Sequence, residues 1–278
     1  MAATGKTLTI YLAADLKKFN RGINKAEGGL KGLGNSLSKF LGPALIAGAA
    51  AAGAFAVKLG VDAVNAASDL IETQNKVGVI FGESSQAILD FAETSVTALG
   101  QTRTQALEAS AQFAQFGKAA GLAGDDLVNF STEVVTLSAD LASFNNSSPE
   151  EAITALGSAL RGEAEPLRRF GVLLDDAALK EKALALGISD GTSKLSTQQK
   201  VLAAHAVVME QTADAQGDFA RTADGLANTT RILSAAVEDA KAEIGEGLVA
   251  AIEDATGAMG GSQGMAETIG QVGQEIGD

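Results

Sequence analysis

A chain of 278 residues has room for one large or two ordinary domains. With 46% hydrophobic residues but only 4% aromatic, no Trp, one Tyr and three Pro, it reads as almost entirely helical, and the absence of cysteine excludes a disulfide framework and a thiolate metal site. The net charge of −13 is uneven: residues 1–60 hold eight basic groups against Asp15 and Glu27, a balance of +6 that leaves −19 for the rest, which argues against specific nucleic-acid binding by the body. Much of the apolar share is alanine, which buries little area per residue, so thin helical layers are expected rather than a thick core.

Thr7 to Leu12 alternates apolar and polar, with Leu8, Ile10 and Leu12 on one face, and reads as an isolated half-buried strand rather than a secretory signal. A lone strand needs a partner, which argues for assembly and a homo-oligomer. From Asp15 a basic amphipathic helix follows, with Leu16, Phe19, Ile23, Ala26, Leu30, Leu33, Leu37 and Phe40 on its apolar face and glycines at 28, 29, 32 and 34 weakening it. Residues 1–41 thus form a first segment.

Pro43 to Val57 is an unbroken apolar run of fifteen residues, including Gly48, Ala52 and Gly53. A bilayer span needs about 20 such residues. The run therefore reads as an alanine-glycine helix packed inside an oligomer, or as a candidate membrane segment whose small residues form helix contacts. The helix continues to Phe81, closing a segment at 42–81.

The stretch 82–190 reads as a compact core of short helices. Ser84 or Ser85 starts one; Thr102 with Gln105 makes a capping box; Gly121 to Asp125 is a turn. Leu127, Phe130, Val134, Leu137, Leu141 and Phe144 form a stripe, and Ser148-Pro149-Glu150-Glu151 combines a cap, a first-turn proline and a Glu reaching back. The phenylalanines at 81, 91, 113, 116, 130, 144 and 170 are the expected core. Asp176 to Leu186 is a further helix, ended by Gly187.

Residues 191–259 read as a long, coiled-coil-like helix opened by a Ser196–Gln199 capping box. One seam runs Val201, His205, Val208, Thr212, Ala215, Phe219; a second runs Leu226, Thr230, Leu233, Val237, Ala240, Ile244. The two are out of step by one residue, which predicts a kink or break near Gly225. Residues 260–278 read as a frayed tail. The fold expected is therefore all-α: a multi-helix domain with an isolated N-terminal strand and long flanking helices.

One sharp feature stands in the middle. After the helix carrying Ile153, Leu156 and Leu160, Gly162 lets the backbone leave the α region, Pro166 opens a short second helix, Leu167 and Phe170 share its face, and Gly171 stops it. Arg161, Glu163, Glu165, Arg168 and Arg169 crowd around this structural corner. Paired carboxylates can do acid–base work, as in a helical cell-wall hydrolase using Glu163 or Glu165. With arginines beside them, an ion-pair cluster that fixes the corner is the simpler account. The single histidine, His205, cannot build a zinc site without cysteine, and Gly5-Lys6-Thr7 lacks the rest of a phosphate-binding loop. No catalytic, cofactor or metal residue is assigned, and no enzyme activity is expected.

The corner also carries a family resemblance. "ALRGEAEPLRRFGVLLDDAALKEKALALGI" resembles the core of tail tape-measure proteins of long-tailed bacteriophages, and the likeness extends from about Val61 to about Leu248. "AQFAQFGKAAGL", "NFSTEVVTLSADLASFNN", "SPEEAITALGSALRGE" and "EQTADAQGDFARTADGLAN" support it in order and spacing. The resemblance implies a virion protein in the lumen of the tail tube that sets tail length, takes part in genome ejection, and contacts the tail-tube protein. It also implies tail-assembly chaperones as partners in the host cytoplasm and entry of some segments into the host membrane at infection. The pattern departs from the family in two ways. As one unbroken helix the chain would reach only about 420 Å, and no long rod or peptidoglycan-hydrolase domain follows the core; Gly245-Glu-Gly-Leu248 also runs into Val249-Ala250 rather than a proline. These departures suggest an N-terminal portion, a truncated prophage copy or a very short ruler. A membrane-active, pore-forming helical protein built on residues 42–61 is the other expectation.

Overall fold

The structure is a computed structural model that describes residues 52–258. The expected strand at 7–12, the basic helix from Asp15, Pro43 and Gly48 of the apolar run, and the tail at 260–278 lie outside the described residues. Ala52, Gly53 and Val57 fall at the start of the first described helix.

The described residues are all-α, with no strand among them. Among the described residues nine α-helices follow in order: α1 Ala52–Phe81, α2 Ser85–Leu99, α3 Arg103–Ala119, α4 Gly124–Phe144, α5 Pro149–Arg161, α6 Asp176–Ala185, α7 Thr197–Gln211, α8 Asp218–Arg221 and α9 Leu226–Ala258, with 3-10 turns at Gly82–Ser84 and Glu165–Phe170. The boundaries follow local chemistry. Thr102, Ser148 and Ser196 each close a full capping box with Gln105, Glu151 and Gln199, satisfying amide donors that a helix start leaves open. Asp175 accepts from the Ala178 amide at 2.8 Å to start α6.

The residues divide into two units, one of Asp69–Asp239 and one made of the flanking residues. In the first, α4 is the central helix and packs against α2, α3, α5 and α8. Its buried side chains include Leu127, Phe130, Val134, Val135, Leu137 and Leu141 and extend to Ser131, Ser138 and Asp140, so the helix is enclosed on more than one face. The expectation of thin layers is corrected here. Alanine buries little area, but it and glycine let neighbours come close enough to surround a helix. A Cβ on Gly117 of α3 would lie 2.6 Å from Leu127 Cδ1.

Six of the seven expected phenylalanines are as anticipated or partly so: Phe113, Phe130, Phe170 and Phe81 are buried, and Phe91 and Phe116 pack against the core. Phe144, the last residue of α4, is 54% exposed. It belongs to the stripe by spacing, but the helix ends there and the chain turns away. Phe219, read only as a seam position, is buried and packs on Gly100, whose φ of 62° and close approach both require glycine: a Cβ there would come within 2.9 Å of the ring.

The long, coiled-coil-like helix expected over 191–259, with a kink or break near Gly225, is instead α7, a turn-rich stretch with short α8, and α9. The break expected near Gly225 is present, and the compact unit extends well beyond residue 190. The upstream seam is buried as anticipated at Val201, Val208, Thr212, Ala215 and Phe219. The downstream seam is not: Leu226 is 86% and Leu233 43% exposed, whereas Asn228, Ala235 and Ala242 on another face are buried. Within the flanking unit the packed face of α9 is likewise made of small residues, since Gly245 lies directly over the Ala63 carbonyl of α1 with no room for a Cβ. Among the described residues no helix is long and apolar enough to cross a membrane.

Candidate functional site

The corner between α5 and the following 3-10 turn forms as its residues dictate. Gly162 caps α5 with φ 97°, and the Glu163 and Gly162 amides donate to the Ser158 and Ala159 carbonyls. Pro166 sits in the first turn of Glu165–Phe170, Leu167 and Phe170 are buried, and Gly171 ends the turn with φ 81°. The charged residues do not gather into one cluster. Arg168 pairs with Glu165 at 2.8 Å and Arg169 reaches back to Glu151 at 3.1 Å, its guanidinium 5.2 Å over the Phe170 ring. Arg161 donates to Ser158 Oγ at 3.0 Å, and Glu163 is exposed. The ion-pair cluster of Glu163 and Glu165 with the neighbouring arginines, expected to fix the corner, is thereby corrected to separate surface pairs, each contributing little. The corner is held by its glycines and buried Leu167 and Phe170.

The next extended segment is fixed by a side chain that mimics a backbone. Gln211 accepts from the Leu173 amide at 2.7 Å and donates to its carbonyl at 3.1 Å. This holds the chain after Gly171 against the end of α7.

The strongest polar constellation was not singled out from the sequence. It lies where α4 meets the stretch between α7 and α9. Asp140, buried on α4, accepts from the Gly217 amide at 2.8 Å with one oxygen and from the Phe219 amide at 3.0 Å with the other. Both are open donors at the start of α8, so Asp140 caps that helix from a distance. Ser143 Oγ donates to Asp218 at 2.6 Å and accepts from Asn228 Nδ2 at 2.8 Å. Arg231 bonds Asn228 and donates to the Ser147 carbonyl at 2.7 Å, tying α9 to the turn after α4. Farther along α9, Asp239 accepts from the Arg103 amide at 2.9 Å and from Arg103 Nε at 3.0 Å, and Arg103 reaches Glu93 at 3.3 Å.

Burial pushes the carboxyls of Asp140 and Asp239 up from their ordinary value, against the lowering effect of the amides they accept. Both oxygens of each are engaged by donors, so these carboxylates hold polypeptide in place and are poorly arranged to take a substrate proton. His205 packs its ring 4.8 Å from that of Phe130, and its Nε2 lies 3.7 Å from the Glu133 carboxylate. It lines a small apolar void with Val134, Leu137, Leu156, Leu160 and Val208. No group of His, Asp and Glu among the described residues is arranged to hold a metal. The one available sequence signal was Asp140 itself, an acidic residue in the middle of an apolar stripe, where only a dedicated set of donors makes burial tolerable.

No family model, no curated protein and no solved structure matches this chain.

Proposed function

We propose that the chain is a tail tape-measure protein of a long-tailed phage, or its N-terminal portion, acting as a structural component in the tail-tube lumen with the tube protein and assembly chaperones as partners. The observation that carries this reading is the ordered set of family-like phrases between residues 111 and 228. The all-helical body supports it, as does the use of buried charge to fasten helices rather than to frame a cleft. Glu163 and Glu165, the residues a hydrolase would need, sit on an exposed corner with Glu165 paired to Arg168.

The test uses the phage or prophage whose genome encodes the chain. Purified tails should contain the protein by mass spectrometry, and disruption of its gene should abolish tails or leave tubes of undefined length in electron micrographs. Tails of normal, uniform length assembled without it would overturn the proposal.

A further inference from the structure

α6 and α7 pack against each other as a helical hairpin whose polar bonds are internal. Gln211 brackets the Leu173 amide and carbonyl at its base, Lys182 pairs with Glu210 along its side, and Gln199 donates to the Ile188 carbonyl near its tip. Among the described residues no hydrogen bond joins Leu173–Gln211 to α3, α4 or α5. Apolar contact holds it there instead: α7 packs against α3 and α5, and Val201, Ala204 and Val208 are buried. The hairpin leaves the body at Gly171, whose φ of 81° is left-handed. It returns through the turns at 212–217, where Arg221 holds the Asp214 and Gln216 carbonyls and Asp140 holds the Gly217 amide.

The titratable side chain in the docked face is His205. Its ring lies against Phe130 of α4, and its Nε2 is buried without a hydrogen-bond partner. Glu133 of α4 is the charged group within ion-pair distance, at 3.7 Å, and its carboxylate is more than half exposed. α5 presents Leu156 and Leu160, with the adjacent Arg161 bonded to Ser158, and on α6 Lys182 is taken by Glu210. The void beside the ring is about 10 Å³, the lower limit for a single water, and its other walls are apolar. A proton added at Nε2 is thus a buried donor and charge that the docked hairpin leaves unsatisfied, whereas an undocked imidazolium is hydrated.

We propose that the hairpin is an acid-released flap: a proton on His205 undocks α7 from α4 and α5, and α6 and α7 swing together about the base at Gly171 and the 212–217 turns. Opening uncovers Phe130, Val134, Leu137, Leu156 and Leu160, an apolar face hidden at neutral pH. Asp140 and Arg221 keep the far side of the base fastened. Burial, which pulls the His205 pKa below its ordinary value, acts in the same direction. An open form that titrates near 6.5 gains about tenfold over a docked form that stays neutral as pH falls from 7.5 to 5.5. The flap rests on the packing alone and stands apart from the tape-measure reading.

The chain has no cysteine, so one introduced thiol reports opening. Val208→Cys places it in the void wall beside His205, and Val135→Cys places it on α4, fully buried and outside that wall. Each full-length variant is labelled with dithiodipyridine at pH 7.5 and 5.5, and its rate is divided by that of free cysteine at the same pH. The corrected rate at Val208→Cys should rise about tenfold on acidification, and that at Val135→Cys less than about twofold. Adding His205→Gln should remove the rise at Val208→Cys. Glu133→Gln should keep or enlarge it, and serves if the His205 variant is not folded by circular dichroism. Equal acceleration at both thiols overturns the flap, since the whole body then opens. No acceleration at Val208→Cys, or its loss in Glu133→Gln, also overturns it, because His205 is then protonated in place or is not the trigger.

Discussion

At the scale of single residues, polar groups inside the helical body decide more than the apolar ones. His205 illustrates the conflict: its ring is packed against Phe130 and burial pulls its pKa below the ordinary value, while the Glu133 carboxylate at 3.7 Å favours the charged form. Burial prevails, because the Glu133 side chain is more than half exposed and its charge is screened by water. The sign follows. A histidine whose folded pKa lies below its unfolded value stabilises the fold fully above about 6.5, and that contribution is lost as pH falls through the unfolded value toward the folded one. The melting temperature of the wild type should therefore drop between pH 7 and 5.5 more steeply than that of His205→Gln, measured side by side by circular dichroism. Identical slopes would mean that His205 is not protonated against a burial cost. Asp140 and Asp239, raised by burial, act in the opposite sense: each alone adds stability as pH falls from its folded pKa toward 3.8. Comparing the two His205 forms cancels that contribution. A seam position for His205 was legible in the spacing from Val201 to Phe219, but its burial was not, because that depends on α4 lying across it.

At the scale of elements, starts and stops were legible and faces were only partly so. Three capping boxes and the glycine ends at 82, 162, 171 and 187 are local patterns, and local chemistry is enough to form them. The buried face of α9 is different. Hydrophobic periodicity selects Leu226 and Leu233, yet the helix turns Asn228, Ala235 and Asp239 inward, because their bonds to Ser143 and Arg103 and the small alanine fit the surface offered by α3 and α4. Partners distant in sequence set that choice, so a pattern within one helix could not disclose it. The consequence is measurable. Replacing Leu226 and Leu233 by Ser should leave urea unfolding of the chain almost unchanged, within about 0.5 kcal/mol. Arg103→Ala should cost about 2 kcal/mol, since it leaves the largely buried Asp239 carboxylate without its guanidinium donor, and Asp239→Ala should cost less, because Arg103 keeps Glu93; the double-mutant coupling should be about 1–3 kcal/mol. A larger loss from the leucine pair than from the ion pair would show that α9 packs by its apolar seam after all.

At the scale of the molecule, the all-α class was legible from composition, while the extent of the compact body was not. The sequence places the end of the core at a glycine and serine-rich loop near residue 190, yet α7 returns to cover α5 and α6, and Phe219 comes back to Gly100. Such long-range closure leaves no local signature. It does give the Asp69–Asp239 unit an apolar cluster of its own, drawn from residues between Leu99 and Phe219, with Asp140, Ser143, Asn228 and Arg231 fastening the junction beside it. A body of 171 residues, counting 69 through 239, is long enough to bury about 70% of the surface its unfolded chain exposes. Expressed alone, residues 69–239 should therefore be strongly helical and melt in a single cooperative transition. In the same fragment Asp140→Ala should lower the midpoint sharply, because two amides at the start of α8 lose their acceptor while Phe219 loses its fixed position. A fragment that is helical but melts without cooperativity would show that the flanking residues complete this core, and that the junction around Asp140 cannot hold it shut unaided.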